Sequence, residues 1–252
     1  MKLTILVLGG TGMLGHILID ELEKYSEFNV SNFVYRKKYN KKSIICDVTN
    51  KESLKNKINL INPDIIINCV GVLINGSRNN PSNAIYINSF LPHYLASLAD
   101  DIEAKLIHIS TDCVFSGIKG NYSESDFKDA SDIYGMSKSL GEVDLNNHLT
   151  VRTSIIGPEL KQNGEGLMNW FLQQNGNVFG YSQAFWGGVT TLELSKTIVE
   201  LIKQKIVGLI NITNSSEISK YDLLLLIKKF FNLENINIIK DSSKKINKSL
   251  IS

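Results

Sequence analysis

The sequence predicts an α/β protein in which a doubly wound parallel sheet carries a small C-terminal lobe. Two observations predict this fold class. Up to residue 157, short runs rich in Ile, Leu and Val alternate with longer amphipathic segments, which is typical of strands joined by crossover helices. From residue 158 to residue 252 the sequence is richer in glycine and aromatic residues. We therefore predict a main domain over 1–157 and a lobe over 158–252, with some strands and helices of the second part returning to the main sheet.

The predicted elements follow one another in β-α-β order. Their apolar residues are nearly continuous, which indicates strands that are buried on both faces. Strands are predicted over 4–8, 29–35, 43–46, 65–70, 105–110 and 150–153. Helices are predicted to begin near Met13, Lys51, Pro81 and Ile133, and two further helices are predicted over 192–205 and 220–231.

Charge and composition argue against two classes of partner. The chain of 252 residues carries 27 Lys plus Arg and 25 Asp plus Glu, a formal charge of +2 at pH 7, so nothing favours nucleic acid or an anionic membrane. No apolar run approaches the roughly 18 to 20 residues of a membrane span. The cysteines Cys46, Cys69 and Cys113 are widely spaced and odd in number, which favours small buried side chains in the reducing cytoplasm over disulfides or zinc ligands.

A glycine-rich turn follows the first predicted strand and leads into the first predicted helix. It reads Gly9-Gly10-Thr11-Gly12-Met13-Leu14-Gly15 and satisfies both the GxGxxG and the GxxGxxG spacing. Glycine has no Cβ atom, so the backbone can approach a pyrophosphate whose charge is met by amides at the positive end of the helix. A tight turn with positive φ is the alternative, but it would not require three glycines at this spacing. We therefore predict a Rossmann-like dinucleotide-binding domain over 1–157.

The end of the second predicted strand favours NADP(H) over NAD(H). An acidic residue there would bind the ribose 2′-hydroxyl, whereas a basic residue accommodates a 2′-phosphate. The segment reads Val34-Tyr35-Arg36-Lys37-Lys38, so Arg36 is the predicted contact and a solvated basic loop is the alternative. Asp47 and Val48, after the third strand, are expected near the adenine, although Asp47 could instead cap the next helix. The segment Cys69-Val70-Gly71, after the fourth strand, is expected along the cofactor.

A tyrosine and a lysine four residues apart form the predicted catalytic pair. In Tyr134-Gly135-Met136-Ser137-Lys138 the phenol and the ammonium share one face of the predicted helix. The ammonium, helped by the charge of an oxidised nicotinamide, is expected to lower the tyrosine pKa from about 10. The phenol could then exchange a proton with a carbonyl or carbinol near neutral pH. Packing of a tyrosine along an amphipathic helix is the alternative, which the glycine turn and the five preceding strands disfavour.

Two other positions carry polar residues where a ligand would bind. Ser110-Thr111-Asp112 follows the fifth predicted strand, at the carboxyl edge where ligands bind to open α/β sheets. The Thr111 hydroxyl is expected there to hydrogen-bond the reacting oxygen. Asn88 lies among apolar residues in the helix after the fourth strand, and both a structural contact with the backbone and a role in a proton relay stay open for it.

With these motifs the chain resembles an extended short-chain dehydrogenase/reductase and is most similar to the dTDP-4-dehydrorhamnose reductase family. The resemblance spans most of the chain, and S-T-D-x-V-F-x-G is its most discriminating motif, because epimerases of the superfamily more often show a Ser/Thr-rich run followed by V-Y-G. It rests on the glycine turn and on residues 81–95, 109–117, 134–138, 141–142 and 151–154.

The resemblance implies roles for particular residues. Thr111 matches the catalytic Ser/Thr, Tyr134 the general acid and Lys138 its partner, while Thr153 and Ser154 match a stretch that borders the nicotinamide. The implied activity is NADPH-dependent reduction of a nucleotide-activated 4-keto-6-deoxy sugar, in the biosynthesis of cell-surface polysaccharide sugars. A homodimer is expected by resemblance only.

Three departures from the family bear on the substrate and the lobe. Cys113 stands where the rhamnose-pathway enzymes commonly carry Tyr, and residues 185–190 read Phe-Trp-Gly-Gly-Val-Thr instead of a run that ends in Pro-Thr. A different nucleotide-linked 4-keto-6-deoxy or N-acetylated sugar therefore stays open. The chain also ends earlier than the family usually does, so a terminal helix of the lobe is expected to be missing or dispensable.

Substrate contacts are expected from both parts of the chain. Because they follow Thr111, the residues Asp112-Cys113-Val114 are expected to contact the substrate. Trp186 is expected to stack on the sugar or the base, with core packing as the alternative. Arg152 or Lys119 is expected to meet a diphosphate.

Two other functions stay open beside the reductase. A nucleotide-sugar epimerase or dehydratase would use the cofactor transiently, without net consumption of NADPH. A non-catalytic NADP-binding regulatory subunit would need the cofactor site alone, and the intact set of Thr111, Tyr134 and Lys138 argues against it. No metal centre is predicted, although a Mg²⁺ ion that bridges acidic residues such as Glu124 or Asp126 is an open alternative.

Overall fold

A large parallel sheet with helices on both faces forms the centre of the molecule. The computed structural model describes residues 2–145, 147–161 and 164–251. Its strands are β1 (Leu3–Leu8), β2 (Phe28–Val34), β3 (Ser43–Ile45), β4 (Ile65–Asn68), β5 (Lys105–Ile109), β6 (Leu149–Thr153), β7 (Ile155–Ile156), β8 (Gly176–Trp186), β9 (Val189–Thr190), β10 (Gly208–Ile212), β11 (Ile218–Ser219) and β12 (Ile236–Asn247).

The helices lie between these strands. They are α1 (Gly15–Leu22), α2 (Lys51–Ile61), α3 (Ile74–Asn79), α4 (Pro81–Ala84), α5 (Leu91–Asp101), α6 (Ile133–Leu140), α7 (Leu167–Leu172), α8 (Thr191–Lys203) and α9 (Lys220–Phe230), with a π-helical turn over Ile85–Phe90 and a 3₁₀ turn over Asp112–Val114. Within the described part of the chain, no helix combines the length and the apolar character that a membrane span requires.

The large sheet has the order β3-β2-β1-β4-β5-β6-β10, and all of its neighbouring strands are parallel. The order reverses between β1 and β4, so the turns that follow these two strands meet at the carboxyl edge of the sheet. In open α/β sheets this switch point is where ligands bind. The fold class predicted from the sequence is confirmed.

Both faces of the large sheet are buried, which explains the continuous apolar runs. Successive side chains of a strand point to opposite faces. Ile5 and Val7 pack in a core with helices α1 and α8, whereas Leu6 and Leu8 pack in a second core with α2 and α5. All four side chains are fully buried, and this burial fixes the register of β1.

Capping residues set where the principal helices begin. Asn50, Asp132 and Thr190 each accept a hydrogen bond from a backbone N–H three residues further on, which satisfies a donor that the first helical turn leaves free. The cap at Asp132, 3.0 Å from the N–H of Gly135, starts α6, the helix that carries the predicted catalytic pair.

A smaller mixed sheet, of order β11-β8-β12, forms the C-terminal lobe. Strands β8 and β12 pair in parallel along most of their length, with an irregularity between Asp241 and Lys245. Helix α9 packs against this sheet, and the core of the lobe is formed by Phe171, Val178, Leu223, Leu224, Ile227 and Ile236.

The second half of the chain serves both sheets. Helix α8 and strand β10 return to the large sheet, whereas β8, β11, β12 and α9 build the lobe. The sequence analysis named no strand after residue 153, because Gly176 and Gly180 interrupt β8 and polar residues interrupt β12. The domain boundary after residue 157 stays a prediction.

Candidate active site

A cavity of about 550 Å³ opens at the carboxyl edge of the large sheet, at the switch point between β1 and β4. Its walls come from the turn after β1, the loop after β4, the 3₁₀ turn after β5, helix α6 and the end of β6. Thr111, Tyr134 and Lys138, the predicted catalytic residues, all line it. We call it the catalytic cavity.

The glycine turn forms one wall of the catalytic cavity. Gly9 has a φ of +86°, and a Cβ atom there would lie 3.1 Å from the carbonyl carbon of Cys69. A Cβ atom at Gly15, the first residue of α1, would overlap the carbonyl oxygen of Gly9. Gly10 is buried behind the turn and donates its N–H to Phe33. These three glycines shape the turn, and the cavity itself is lined by Thr11, Gly12, Met13 and Leu14.

Gly12 leaves room at this wall for a ligand. A Cβ atom added at Gly12 would meet the carbonyl oxygen of Gly9 at 3.1 Å, and apart from Gly12 and its two chain neighbours no other described residue comes within 4 Å of it. The loop Cys69-Val70-Gly71 after β4 lies against the turn at Gly9 and also lines the cavity. Thr153 and Ser154, at the end of β6, line it as well. A backbone cradle without side chains is what the close approach of a pyrophosphate requires.

Asn88 fixes the loop after β4 against the catalytic helix. It is fully buried in the π-helical turn. Its Oδ1 accepts from the N–H of Val72 at 2.9 Å, and its Nδ2 donates to the carbonyl of Val72 at 2.9 Å and to Ser137 Oγ at 3.1 Å. These contacts support the structural interpretation of Asn88, which positions α6 relative to the loop.

Lys138 lies at the bottom of the catalytic cavity with its ammonium held by strand β5. Its side chain is buried, its Nζ donates to the carbonyl of Ile109 at 2.7 Å, and it lies 3.3 Å from His108 Nε2. Burial lowers the pKa of Lys138 to about 8. Burial and the neighbouring ammonium lower the pKa of His108 well below its ordinary value, so the imidazole is neutral.

His108 was missed by the sequence analysis, although a signal was present. It stands between Ile107 and Ile109 in β5, and its Nδ1 lies 3.1 Å from Asn68 Nδ2 on the neighbouring strand. Buried polar side chains of this kind are expected to have partners. Asn68 and His108 thus form a buried polar chain behind Lys138.

The phenol of Tyr134 is protonated at neutral pH. Burial raises the pKa of Tyr134 well above its ordinary value of 10.0, proximity to Cys113 raises it further, and a hydrogen bond with Thr111 acts in the opposite direction. Burial is thus the largest influence on this pKa in the structure, and the expected lowering by Lys138 and an oxidised nicotinamide stays a prediction. A protonated phenol is the form that a proton donor requires.

Thr111 is held in place at the end of β5 by two hydrogen bonds. Its hydroxyl accepts from the N–H of Cys113 at 3.1 Å, which caps the 3₁₀ turn, and donates to Asp112 Oδ1 at 3.1 Å. Both Thr111 and Asp112 are buried, and burial raises the pKa of Asp112. The fixed hydroxyl of Thr111 and the phenol of Tyr134 therefore lie close together at the cavity wall.

A second cavity, of about 370 Å³, continues from the first towards the small sheet. We call it the lobe cavity. The two cavities share lining residues, among them Asp112, Cys113, Ser154, Trp186 and Lys220. Burial raises the pKa of the Cys113 thiol to about 12, so this cysteine is a neutral wall residue rather than a nucleophile.

Trp186 serves the lobe core and the lobe cavity together. Its ring packs against the lobe core and lines both cavities, while its Nε1 donates to Ser154 Oγ at 2.8 Å. This bond ties the end of β8 to the end of β6. The two interpretations offered for Trp186, ligand stacking and core packing, are therefore compatible.

Arg152 does not reach either cavity, so the expectation that it meets a diphosphate is corrected. Its guanidinium is buried and binds Glu142 through Nε at 2.7 Å and Nη2 at 2.8 Å, and its Nη1 donates to the carbonyl of Glu124 at 3.1 Å. Its donors are thus committed inside the protein. Lys119, the other candidate, forms an ion pair with Asp126 and lines neither cavity.

Val114 is corrected in the same way, since it is a core residue instead of a substrate contact. Its side chain is fully buried and packs with Phe115, Tyr122 and Leu250. The 3₁₀ turn directs Asp112 and Cys113 towards the cavities and Val114 away from them.

The residues expected at the adenosine end lie outside both cavities. Arg36 is exposed on the loop after β2, with its guanidinium 4.8 Å from the centre of the Tyr35 ring. Asp47 Oδ1 accepts from the N–H and the hydroxyl of Thr49, at 2.9 and 2.7 Å, so it stabilises the turn before α2. Val48 is partly buried and packs against the core beneath α2 and α5. The cofactor contacts of these three residues stay predictions.

The structure does not support the Mg²⁺ alternative. Among the described residues there is no group of three or more His, Cys, Asp or Glu side chains that could hold a metal ion. Glu124 Oε1 accepts from the N–H of Asn211 at 2.8 Å, and Asp126 is engaged by Lys119 and Ser123. Both carboxylates therefore have protein partners.

Comparison with known proteins gives a consistent family and fold. Residues 1–248 match the family described as RmlD substrate binding domain. The chain is 28% identical over 226 residues to a dTDP-4-keto-6-deoxy-D-glucose reductase of Streptomyces niveus, covering 86% of this chain and 75% of that protein. It is 31% identical over 143 residues to a probable low-salt glycan biosynthesis reductase of Haloferax volcanii, a match that spans 54% of this chain and only 46% of that relative.

The same fold is present in a solved structure. The crystal structure of a hypothetical dTDP-4-dehydrorhamnose reductase from Sulfolobus tokodaii matches with a TM-score of 0.84 and 27% identity, over 99% of this chain and 92% of that one. This likeness confirms the doubly wound α/β architecture.

Proposed function

Because the chain belongs to the family described as RmlD substrate binding domain, we propose that it is an NADPH-dependent reductase of a nucleotide-activated 4-keto-6-deoxy sugar. It is an extended short-chain dehydrogenase/reductase, hence an NAD(P)-dependent oxidoreductase. The observation that carries the proposal is that Thr111, Tyr134 and Lys138 line one cavity together with residues 11–14 of the glycine turn. This arrangement places a proton donor beside a cradle for a dinucleotide.

The residues present fit a nicotinamide dinucleotide. The open backbone at Gly12 and the first turn of α1 would hold the pyrophosphate. Cys69-Val70-Gly71 and Thr153-Ser154 would border the rest of the cofactor, and Tyr134 and Lys138 would contact its nicotinamide end. When bound, the nicotinamide supplies a hydride to the carbonyl carbon of the sugar.

The chain's own residues supply the proton and the orientation. Tyr134 donates its phenolic proton to the carbonyl oxygen. The Thr111 O–H, which donates to Asp112 in the structure, would turn to donate to that oxygen, while the N–H of Cys113 holds the Thr111 Oγ1 in place. Lys138 is charged below its pKa of about 8, and its ammonium stabilises the phenolate that remains. The product is the corresponding alcohol.

Arg36 supports the choice of NADPH. It is an exposed guanidinium at the end of β2, the position that reads the 2′ substituent of the adenosine ribose in this fold. The proposal further places the reaction in the biosynthesis of polysaccharide sugars and in the cytoplasm, with which the free Cys46, Cys69 and Cys113 are compatible. A homodimer stays a prediction that light scattering would test.

The direct experiment follows NADPH absorbance in the presence of dTDP-, UDP- and GDP-linked 4-keto-6-deoxy sugars. We expect stoichiometric oxidation with one of the three nucleotides and its loss in the Tyr134→Phe variant. Altered sugar stereochemistry without net oxidation would replace the proposal by an epimerase. Cofactor binding with neither oxidation nor product from the panel would favour a regulatory subunit.

A further inference from the structure

Two polar side chains of the large sheet lie behind Lys138, Asn68 at the end of β4 and His108 in β5. Both are fully buried, and the two residues lie opposite each other on neighbouring strands. Neither is among the residues that line the catalytic cavity or the lobe cavity. Any influence of this pair on the reaction must therefore pass through Lys138.

The backbone fixes the orientation of the Asn68 amide. Its Oδ1 accepts a hydrogen bond from the N–H of Val70 at 3.1 Å, and its Nδ2 lies 3.1 Å from His108 Nδ1. Turning the amide over would set the Nδ2 donor against the N–H of Val70, which is also a donor. Asn68 therefore offers a donor to His108 and not an acceptor.

This donor determines which ring nitrogen of His108 carries the proton. The imidazole is neutral, because burial and the nearby ammonium lower its pKa well below the ordinary value, and a neutral imidazole has one N–H and one lone pair. Nδ1 uses its lone pair to accept from Asn68, so the proton lies on Nε2. Since Nε2 lies 3.3 Å from Lys138 Nζ, the lysine meets a donor.

The contact between His108 and Lys138 favours one protonation state of the lysine. An ammonium has three donors and no lone pair, so it would set a donor against the Nε2–H of His108. A neutral amine can accept this N–H with its lone pair while Nζ still donates to the carbonyl of Ile109 at 2.7 Å. The contact thus acts in the same direction as burial, which lowers the pKa of Lys138 to about 8.

The other ionisable groups around Lys138 do not favour its amine form. The carboxylate of Glu142 raises the pKa of Lys138. Burial raises the pKa of the Cys69 thiol, in the loop after β4, to about 12, and the phenol of Tyr134, one turn away on α6, is protonated. His93, on α5, lowers the pKa of the buried imidazole further. Burial and the imidazole N–H are therefore the influences that oppose the ammonium.

We infer that Asn68 and His108 are positioning residues that hold a proton on His108 Nε2 and thereby enable Lys138 to release its own proton to Tyr134. In the proposed reaction Tyr134 becomes a phenolate when it protonates the carbonyl oxygen. The phenolate then takes a proton from the Lys138 ammonium, the amine that remains accepts the His108 N–H, and a proton from solvent restores the ammonium. The inference rests on the proposed function for the step that forms the phenolate.

The test observes these protons by NMR of the full chain with isotope-labelled histidine and lysine, without substrate. Correlations within the ring distinguish the two tautomers of His108, and the side-chain resonances of Lys138 follow its titration. His108→Phe and Lys138→Arg assign the signals. Thermal unfolding verifies that each variant is folded, and the tautomer of the wild type is decisive without any variant other than the one that assigns it.

Asn68→Asp is designed to reverse the tautomer. An ionised carboxylate offers only acceptors, so it can accept from the N–H of Val70 and from His108 Nδ1. His108 would then present its Nε2 lone pair to the ammonium. Asn32→Asp is the matched control, because Asn32 is also a fully buried asparagine of the large sheet and its amide binds Asn40 instead of an imidazole.

We expect the wild type to carry the His108 proton on Nε2. In Asn68→Asp the proton should move to Nδ1, and the acid dissociation constant of Lys138 should fall by about tenfold to a hundredfold, the range for a hydrogen bond to a charged group. Asn68→Asp/His108→Phe keeps the carboxylate without the imidazole, so the fall should be smaller there. In Asn32→Asp the constant should not change.

A proton on His108 Nδ1 in the wild type would overturn the inference. An equal fall with and without the imidazole would also overturn it, because the added charge alone would then explain the effect. Neither readout needs turnover, so both would stand if the protein proved not to be a reductase. Conversely, reduction by a protein that carries the proton on Nδ1 would leave the proposed function intact and remove this inference.

Discussion

The catalytic cavity and the lobe cavity meet at Asp112 and Cys113, yet they are built differently. In the catalytic cavity the polar groups are buried and hydrogen-bonded within the protein, as Lys138 and Thr111 show. In the lobe cavity, Lys220, Lys244 and Lys248 form none of the ion pairs seen among the described residues. The rings of Trp170 and Phe179 are exposed there. The first region is organised before any ligand arrives, and the second leaves its polar groups for a ligand to satisfy. We therefore propose that the reaction takes place in the first cavity and that the second contributes to ligand recognition.

The largest effect that separates the two regions is expected from Tyr134→Phe. Removing the phenolic proton should lower kcat by about 10²- to 10⁴-fold, the usual contribution of a positioned general acid. The affinity for a nucleoside diphosphate should stay at its wild-type value, since such a ligand lacks the keto group on which the phenol acts. Steady-state kinetics and titration calorimetry together measure both quantities. Tyr39→Phe is the control, because its hydroxyl binds Asp20 far from either cavity; an equal loss of kcat in that variant would contradict the assignment.

The buried ion pair between Arg152 and Glu142 allows the stability of this region to be tested by mutation. Glu142→Gln leaves Arg152 buried with part of its partner removed, and we expect a loss of about 3 to 5 kcal/mol in the free energy of unfolding. Urea denaturation measures this loss. Asp101→Asn is the control, because its pair with Lys55 is exposed on both sides and should contribute about 1 kcal/mol or less. Equal losses of unfolding free energy in the two variants would show that the buried pair contributes no more to stability than the exposed pair.

The same pair predicts how stability depends on pH. Burial alone would raise the pKa of Glu142, but the hydrogen bonds and charge of Arg152 hold it below its ordinary value of 4.5. A carboxyl whose pKa is lower in the folded state stabilises fully above its unfolded pKa and loses that contribution as pH falls. We therefore expect the difference in stability between wild type and Glu142→Gln to shrink below about pH 4.5, as measured by denaturation at several pH values.

A smaller effect, on the pH dependence of kcat/KM, tests the role proposed for Lys138. Its pKa of about 8 predicts that kcat/KM falls as pH rises through this value, because the ammonium that supports the phenolate loses its proton. In Lys138→Arg the charge persists at alkaline pH, so the surviving activity should lack this decline. The pH profile of kcat/KM is the measurement, and an identical alkaline decline in both proteins would assign it to another group.

The smallest change concerns the cofactor and leaves both cavities intact. Arg36→Asp should lower the ratio of NADPH to NADH efficiency by about tenfold to a hundredfold, since a charge-assisted bond to the 2′-phosphate becomes a repulsion. Lys41→Asp makes the same type of charge change in the same exposed loop and is the control. If the ratio of NADPH to NADH efficiency did not change in Arg36→Asp, Arg36 would be a solvated residue of the loop and not a cofactor contact.

What could be predicted from the sequence follows the same division between the two regions. The glycine turn, Thr111 and the pair Tyr134 and Lys138 are local motifs placed at strand ends or on one helix, and the parallel sheet brings such positions to one edge. That these residues line one cavity could therefore be predicted without knowing which distant strands pair in the smaller sheet. Asn88 was left with two interpretations, and only its bonds to Val72 and Ser137 separated them.

Asp112, Cys113 and Trp186 were predicted as ligand contacts and line the lobe cavity, but its lysines could not be predicted, because their place depends on contacts between distant segments. Lys244 and Lys248 reach the cavity only because β12 pairs with β8, strands that are far apart in the chain and that show no clear alternation of apolar residues. Arg152 and Val114 were assigned to the substrate by their place in the chain, but burial directs them into ion pairing and core packing. The sequence could not show which face of a strand or turn each residue would occupy.

The most direct test of the central claim, reduction at the catalytic cavity, is the transfer of deuterium from NADPH doubly deuterated at C4 of its nicotinamide. The measurement uses the nucleotide-linked keto sugar that binds most tightly, with mass spectrometry of the sugar product. We predict one deuterium at the new carbinol carbon for each NADP formed, and no labelled product with Tyr134→Phe. A sugar product without deuterium and without net formation of NADP would contradict the account and identify an epimerase.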